Sequence, residues 1–170
     1  MLPSCDFSKE NVTRVMNKLK VTETQEILLE ELVDTIIPST EIPGARELEV
    51  DDFVWVMVDD CLDKDVQNAF MSGLDKFRDE FKRVNEMSFD ASGQNDRVRG
   101  LEKLAQGEPE ATQNPYRDVA TLVEITKAFA ILGFNKSEYI MSEVMPYSLV
   151  PGKNPECRPL NPNDKINTNA

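Results

Sequence analysis

Between residues 63 and 84, apolar side chains recur at steps of four and three: Val66, Phe70, Leu74, Phe77, Phe81 and Val84. That spacing keeps all six on one side of an α-helix and would scatter them over both faces of a strand. A stripe of about six turns carrying three phenylalanines is too apolar to face water, so further elements must cover it.

The rest of the chain supplies helices to do so. Thr22-Glu23-Thr24-Gln25 has the form of a capping box, Ile27, Leu28, Leu32, Val33 and Ile36 follow on one face, and Pro38 stops the helix. The stretch 51–62, DDFVWVMVDDCL, has two readings. Its continuous apolar centre fits a buried strand, but no second convincing strand exists to pair with it. As a helix it is capped by Asp51, with Phe53, Val54, Met57, Val58 and Cys61 inward. Trp55 and Asp59 then point outward, with Asp52 and Val56 beside them. Residues 87–94 read as a loop with Phe89 tucked in. A short helix follows with Val98, Leu101 and Leu104 inward, ending at Gly107. Asn114-Pro115 opens another, whose core face is Val119, Leu122, Val123, Thr126, Phe129 and Ala130 up to Gly133. A shorter helix runs from Asn135 to Met145.

The expectation is all-α: one orthogonal bundle of five to six helices with an extended, Pro-rich C-terminal arm. Residues 1–20 read as a leader and tether, 21–146 as the helical domain, 147–160 as an arm held on the domain or a partner, and 161–170 as a flexible tail. Five prolines after Met145 set the arm apart.

A chain of 170 residues suffices for one domain. Its net charge of −12 disfavours nucleic acid, whose phosphates need clustered lysine and arginine. Residues 41–65 alone hold nine acids and two bases, a local net of −7; a solvated acidic face and a docking surface are both open. There is no histidine, so the commonest general base and transition-metal ligand is missing. The acid pairs Asp51-Asp52 and Asp59-Asp60 sit at helix ends, where caps and solvated faces are the ordinary use. Asp63 and Asp65 begin like a calcium loop but run straight into the core helix. No Gly-x-Gly-x-x-Gly is present. The residues therefore point to no catalytic site, no cofactor site and no metal site in this chain.

Two stretches stand out. TIIPSTEIPGA, residues 35–45, ends a helix and turns on Pro38 and on Pro43-Gly44. Gly44 is expected in a conformation hostile to a Cβ, with the turn laying helix 51–62 across helix 22–37. LPSC, residues 2–5, has the shape of a bacterial lipobox that would make Cys5 a lipidation site, although the basic and apolar regions that should precede it are missing. An ordinary terminal cysteine is the other reading.

The first of these, continued through LVDTIIPSTEIPGARELEVDDFVWVMVDDCL and DVQNAFMSGLDKF, resembles the gluconate 2-dehydrogenase subunit 3 family. The matching positions are Asp34, Ile36, Ile37, Pro38, Thr40, Pro43, Gly44, Ala45, Phe53, Gln67, Phe70, Gly73 and Leu74. A second signature matches Ser142, Glu143, Val150, Pro151, Gly152 and Cys157, with Met145-Pro146 departing from a segment that commonly holds glycine. The resemblance covers about residues 22 to 159. It implies a non-catalytic small subunit of an exported flavin dehydrogenase. The large partner would be a glucose–methanol–choline-type flavoprotein that carries FAD and oxidises a sugar or sugar acid. A cytochrome subunit is a further partner, and the periplasmic side of the inner membrane, reached through a lipid anchor, is the implied location. A stand-alone helical lipoprotein that binds or scaffolds remains the alternative.

For such a subunit the expected partner interface is Trp55, Asp52 and Asp59 on one helix face and Tyr147, Val150 and Cys157 on the arm. Trp55 lying over a neighbouring helix is the competing reading. Cys61 is expected buried and reduced and Cys157 free, the alternative being an internal bridge between them.

Overall fold

The computed structural model describes residues 12–106 and 115–145. The fold is all-α apart from one small hairpin: β1 (Val12–Val15), β2 (Lys20–Thr22), α1 (Glu23–Ile36), α2 (Val50–Cys61), α3 (Lys64–Asn85), α4 (Gln94–Gln106) and α5 (Pro115–Lys136), then a π-helical turn (Ile140–Val144). The arm and tail, with Tyr147, Val150 and Cys157, and the candidate lipidation site Cys5 lie outside the described residues.

Helix α3 buries the stripe that the sequence drew. Phe70, Leu74, Phe77 and Phe81 are buried, while Val66 and Val84 at its ends are only half-buried. Phe89 closes over it from the loop, edge-on to Phe77 and Phe81 at 5.1 Å each. Such contacts contribute about 0.5–1.5 kcal/mol each beyond area burial. The other wall is α5, which touches all four remaining helices. It does so because it is apolar on more than one side: Val119, Leu122, Val123, Thr126 and Ala130 are all buried. Gly73 sets how closely α3 and α5 approach. A Cβ there would stand 2.5 Å from the Asp118 carbonyl oxygen and 2.8 Å from Leu122 Cβ.

The capping box at the start of α1 forms as the sequence required. Thr22 Oγ1 accepts from the Gln25 amide at 3.4 Å, and Gln25 Oε1 accepts from the Thr22 amide at 3.0 Å. The buried residues of α1 are Gln25, Leu28, Leu29, Leu32, Val33 and Thr35. Ile27, expected inward, is exposed, because Leu29 takes the inner position instead. Val98 of α4 is likewise at the surface rather than in the core. Helix α5 runs past Gly133 to Lys136, and Gly133 is where the helix lies against α2: a Cβ there would stand 2.6 Å from Phe53 Cδ1.

The sequence missed the hairpin. Val12 pairs with Thr22 and Val15 with Lys20, so residues 12–20 are not a loose tether but a folded lid on the helices. Three- and four-residue strands with one irregularity between Val12 and Arg14 are too short to show period-2 alternation. What holds them is tertiary.

Candidate functional site

The turn between α1 and α2 is built on backbone contacts. The Ala45 amide reaches back to the Ile37 carbonyl at 2.9 Å, and the Gly44 amide donates to Ser39 Oγ at 3.2 Å. A Cβ on Gly44 would lie 2.5 Å from Ser39 N, 2.8 Å from Pro38 C and 2.9 Å from Ile37 O. Glycine is therefore needed for close approach of two backbone segments. The left-handed residue here is Glu49, with φ of 51°, immediately before α2. Helix α2 starts at Val50, so Asp51 lies in its first turn and is not the cap.

Helix α2 corrects the expected interface. Its buried residues are Val50, Val54, Trp55, Val58 and Asp59. Trp55 has no exposed surface, against the expectation that it faces outward, and Asp59 is 1% exposed. Of the three, only Asp52 is at the surface. The face left to solvent by periodicity is covered from two sides. Phe70 of α3 meets the Trp55 ring edge-on at 5.9 Å. The hairpin turn covers Asp59, whose Oδ1 accepts from the amides of Lys18 (2.9 Å) and Leu19 (2.8 Å), and whose Oδ2 accepts from the Asn17 amide (3.1 Å). Behind it, Gln67 donates to the Val58 and Asp59 carbonyls at 3.0 and 2.7 Å, satisfying two of the carbonyls at the open end of α2. Among the described residues Trp55 Nε1 has no hydrogen-bond partner, and the ring serves as apolar filling. Cys61 is a free, exposed thiol, not a buried one. It lines up with the inner face but is the last residue of α2, where it overhangs the core.

Asp52 in this region has a structural partner too. Arg14 on the hairpin joins Glu26 of α1 at 2.7 Å to Asp52 of α2 at 2.6 Å. Burial pushes the Asp51 carboxyl above its ordinary range, and the charges of Asp52 and Glu30 push the same way. Burial would raise Asp118 as well. There, hydrogen bonds from Lys76 (2.8 Å) and Ser72 (2.6 Å), with the charges of Lys76 and Arg117, win and hold it below the ordinary range. Asp59, Asp52 and Asp118 are thus joints between elements. Among the described residues no three cysteine or acidic side chains gather in a metal-binding arrangement, and no helix is long and apolar enough to cross a membrane.

Three depressions among the described residues stand out. A polar one between α1 and α3 holds Gln25, Asp75 and Arg78. An apolar one of about 150 Å³ lies among Ile36, Val98, Leu101, Ala105 and Val123. The third, about 370 Å³, is lined by Leu48, Ser137, Glu138, Tyr139, Ser142 and Glu143. It joins the end of the α1–α2 turn to the π-helical turn, in which the Met145 amide reaches the Ile140 carbonyl at 2.7 Å. Single π turns are rare and concentrate at functional sites. Sequence reasoning missed this cleft because Leu48 and Tyr139 stand far apart in the chain; only their shared sidedness in space brings them together.

The profile of the gluconate 2-dehydrogenase subunit 3 family matches residues 23–152, which includes both walls of that cleft and the whole of the turn. The chain belongs to the gluconate 2-dehydrogenase subunit 3 family. The match begins at the first residue of α1, so the hairpin that clasps Asp59 stands outside it. No curated protein and no solved structure matches the chain significantly.

Proposed function

We propose that the chain is a non-catalytic accessory subunit of a periplasmic, membrane-associated, FAD-dependent dehydrogenase of the glucose–methanol–choline type acting on a sugar or sugar acid. It supports export, folding or anchoring of the flavoprotein. The observation that carries this reading is the family match over residues 23–152. It is supported by the way the acids of α2 are used. Asp59 and Asp52 serve the hairpin, so one carboxylate of each acid pair in the sequence is engaged in holding the fold. FAD belongs to the partner in this reading, a cytochrome subunit is a further partner, and Cys5 carries the lipid that tethers the complex.

Copurification tests it. A tagged chain expressed in its native host is captured from detergent-solubilised membranes, and the eluate is examined for flavin absorbance, sugar-acid dehydrogenase activity and subunit identity by mass spectrometry. A flavoprotein dehydrogenase in stoichiometric yield is expected. Elution of the chain alone, lipidated but without flavin, would instead favour a stand-alone lipoprotein.

A further inference from the structure

We infer that the outer face of the hairpin, formed by Val12, Val15 and Lys20, rests on the bilayer surface when the chain is anchored at Cys5; this rests on the lipid-anchored subunit reading above. Strand register decides which side chains share that face, because cross-strand partners project the same way. Arg14 is paired with Val21 and both face the helices: Val21 is fully buried, and Arg14 is ion-paired to Glu26 and Asp52. Val15 is paired with Lys20, one step along each strand, so both point outward. The exposures agree. Val15 is 72% exposed, more than any other large apolar side chain among the described residues, and Lys20 is exposed beside it. The irregularity in β1 adds Val12 to the same face. Thr13 and Arg14 both reach Glu26, at 2.6 and 2.7 Å, so the extra residue is taken up on the inner side. Val12 therefore returns to the outer side, opposite Thr22 and 48% exposed.

Two valines at the surface are not unusual in themselves. Charge, tether and stiffness together select a lipid surface for these. Residues 12–22 hold Arg14, Lys18 and Lys20 and no acid, in a chain whose net charge is −12. The acids that the hairpin touches are held from its inner side and its turn: Glu26 and Asp52 by Arg14, Asp59 by the amides of residues 17–19, and Asp60 by the Asn17 side chain at 3.1 Å. A small apolar face edged by lysine suits the bilayer boundary, where the methylene stem lies along the apolar layer and the ammonium reaches the headgroups. An anionic leaflet attracts this end of the chain and repels the acidic remainder, which orients the domain. The tether brings the face there. Val12 follows Cys5 by seven residues, a span of about 25 Å at full extension, and the hairpin is the first described element after the anchor. The face is also rigid, because Asp59 and the Arg14 ion pairs clamp the hairpin to α1 and α2. One acyl chain holds a protein only marginally, and a second contact makes the attachment stable.

The test uses the full chain with Cys61→Ser and Cys157→Ser, which leave Cys5 as the sole thiol. Cys5 is coupled to a maleimide-bearing lipid in vesicles of phosphatidylethanolamine and phosphatidylglycerol. In that background Val15→Trp is expected to emit at shorter wavelength and to be quenched when the acyl chains are brominated. Leu132→Trp on α5, at a site 41% exposed, is expected to show neither effect. Trp55 has no exposed surface and adds the same unquenched emission to every sample. Adding Lys20→Glu should lower the ratio of resting to lifted hairpins, read from the quenching, about fivefold or more. Thermal denaturation checks that each variant is folded, and Val12→Trp is read in place of any Val15→Trp chain that is not. Equal quenching at positions 15 and 132, or none at the hairpin in a folded chain, overturns the inference. Absence of quenching together with loss of the flavoprotein from Val15→Asp in the capture experiment makes the face a protein interface instead. The coupling does not depend on native acylation, so the two readings fail separately. An unlipidated Cys5 in the mass of the captured chain removes the anchor and this inference with it, whereas a lipidated Cys5 with an unquenched hairpin overturns this inference alone.

Discussion

Asp59→Asn is the sharpest probe of how the hairpin is joined to the helices. The substitution keeps the side chain's size and removes part of its acceptor capacity. Three backbone amides, those of Asn17, Lys18 and Leu19, converge on the carboxylate at 2.8 to 3.1 Å. Whichever way an asparagine amide is turned, its NH2 faces at least one of those N–H groups. A hydrogen bond to a charged partner contributes about 1.5–3 kcal/mol and a neutral one about 0.5–1.5. Losing one charged bond and weakening two amounts to about 4 kcal/mol. The Asn17 and Lys18 side chains are at the surface while Leu19 is buried, so water recovers part of this and about 3 kcal/mol remains. At about 2–4 °C per kcal/mol for a chain of this size, the melting temperature should fall by about 6–12 °C. Thermal denaturation followed by circular dichroism measures the shift. Hydrogen exchange locates it: the amides of residues 17–19 should lose protection while those of α3 and α5 keep theirs below the transition. A drop under about 2 °C with those three amides still protected would refute the clasp.

Gly44→Val should destabilise the fold by about 1–3 kcal/mol or more, because its side chain meets backbone atoms that cannot yield; an unchanged melting temperature would remove the turn's close approach as the reason for glycine. Trp55 fluorescence should be poorly quenched by acrylamide, and efficient quenching would contradict its burial between α2 and α3. The pKa of Asp118 is lowered in the folded chain, so the stability it contributes is complete above the ordinary carboxylate range and is lost as pH falls through its lowered value. Asp118→Asn should therefore lie below the unaltered chain in stability at neutral pH and converge with it in acid; parallel curves would show that the Lys76 contact contributes nothing. Cys61, with Cys5 and Cys157 changed to serine, should react with a thiol reagent in the native state at close to the rate of the unfolded chain, and strong protection would place it back in the core.

The amino-acid sequence by itself determined the helices and their class. A stripe such as Phe70, Leu74, Phe77 and Phe81, a capping box at Thr22 and Gln25, and a stop at Pro38 are local signals, each read within one or two turns of chain, and all three appear where expected. The family was legible for the same reason, since its first signature is a run of neighbouring residues around the turn. Which side of α2 faces inward was not legible. Its apolar residues nearly surround the helix, so the buried face is decided by what covers it, and the covers, Phe70 and the turn at residues 17–19, lie at a distance in the chain. The same holds for Asp59. In sequence it is one acid among nine, while in the fold it is a buried acceptor for three amides 40 to 42 residues away. The cleft at Leu48 and Tyr139 is likewise a product of assembly, formed only when α5 carries the π-helical turn back beside the start of α2. Local propensity fixes elements because hydrogen bonds and side-chain spacing act within a turn; the faces, clasps and clefts follow from burial, which is shared between segments and is settled only when they meet.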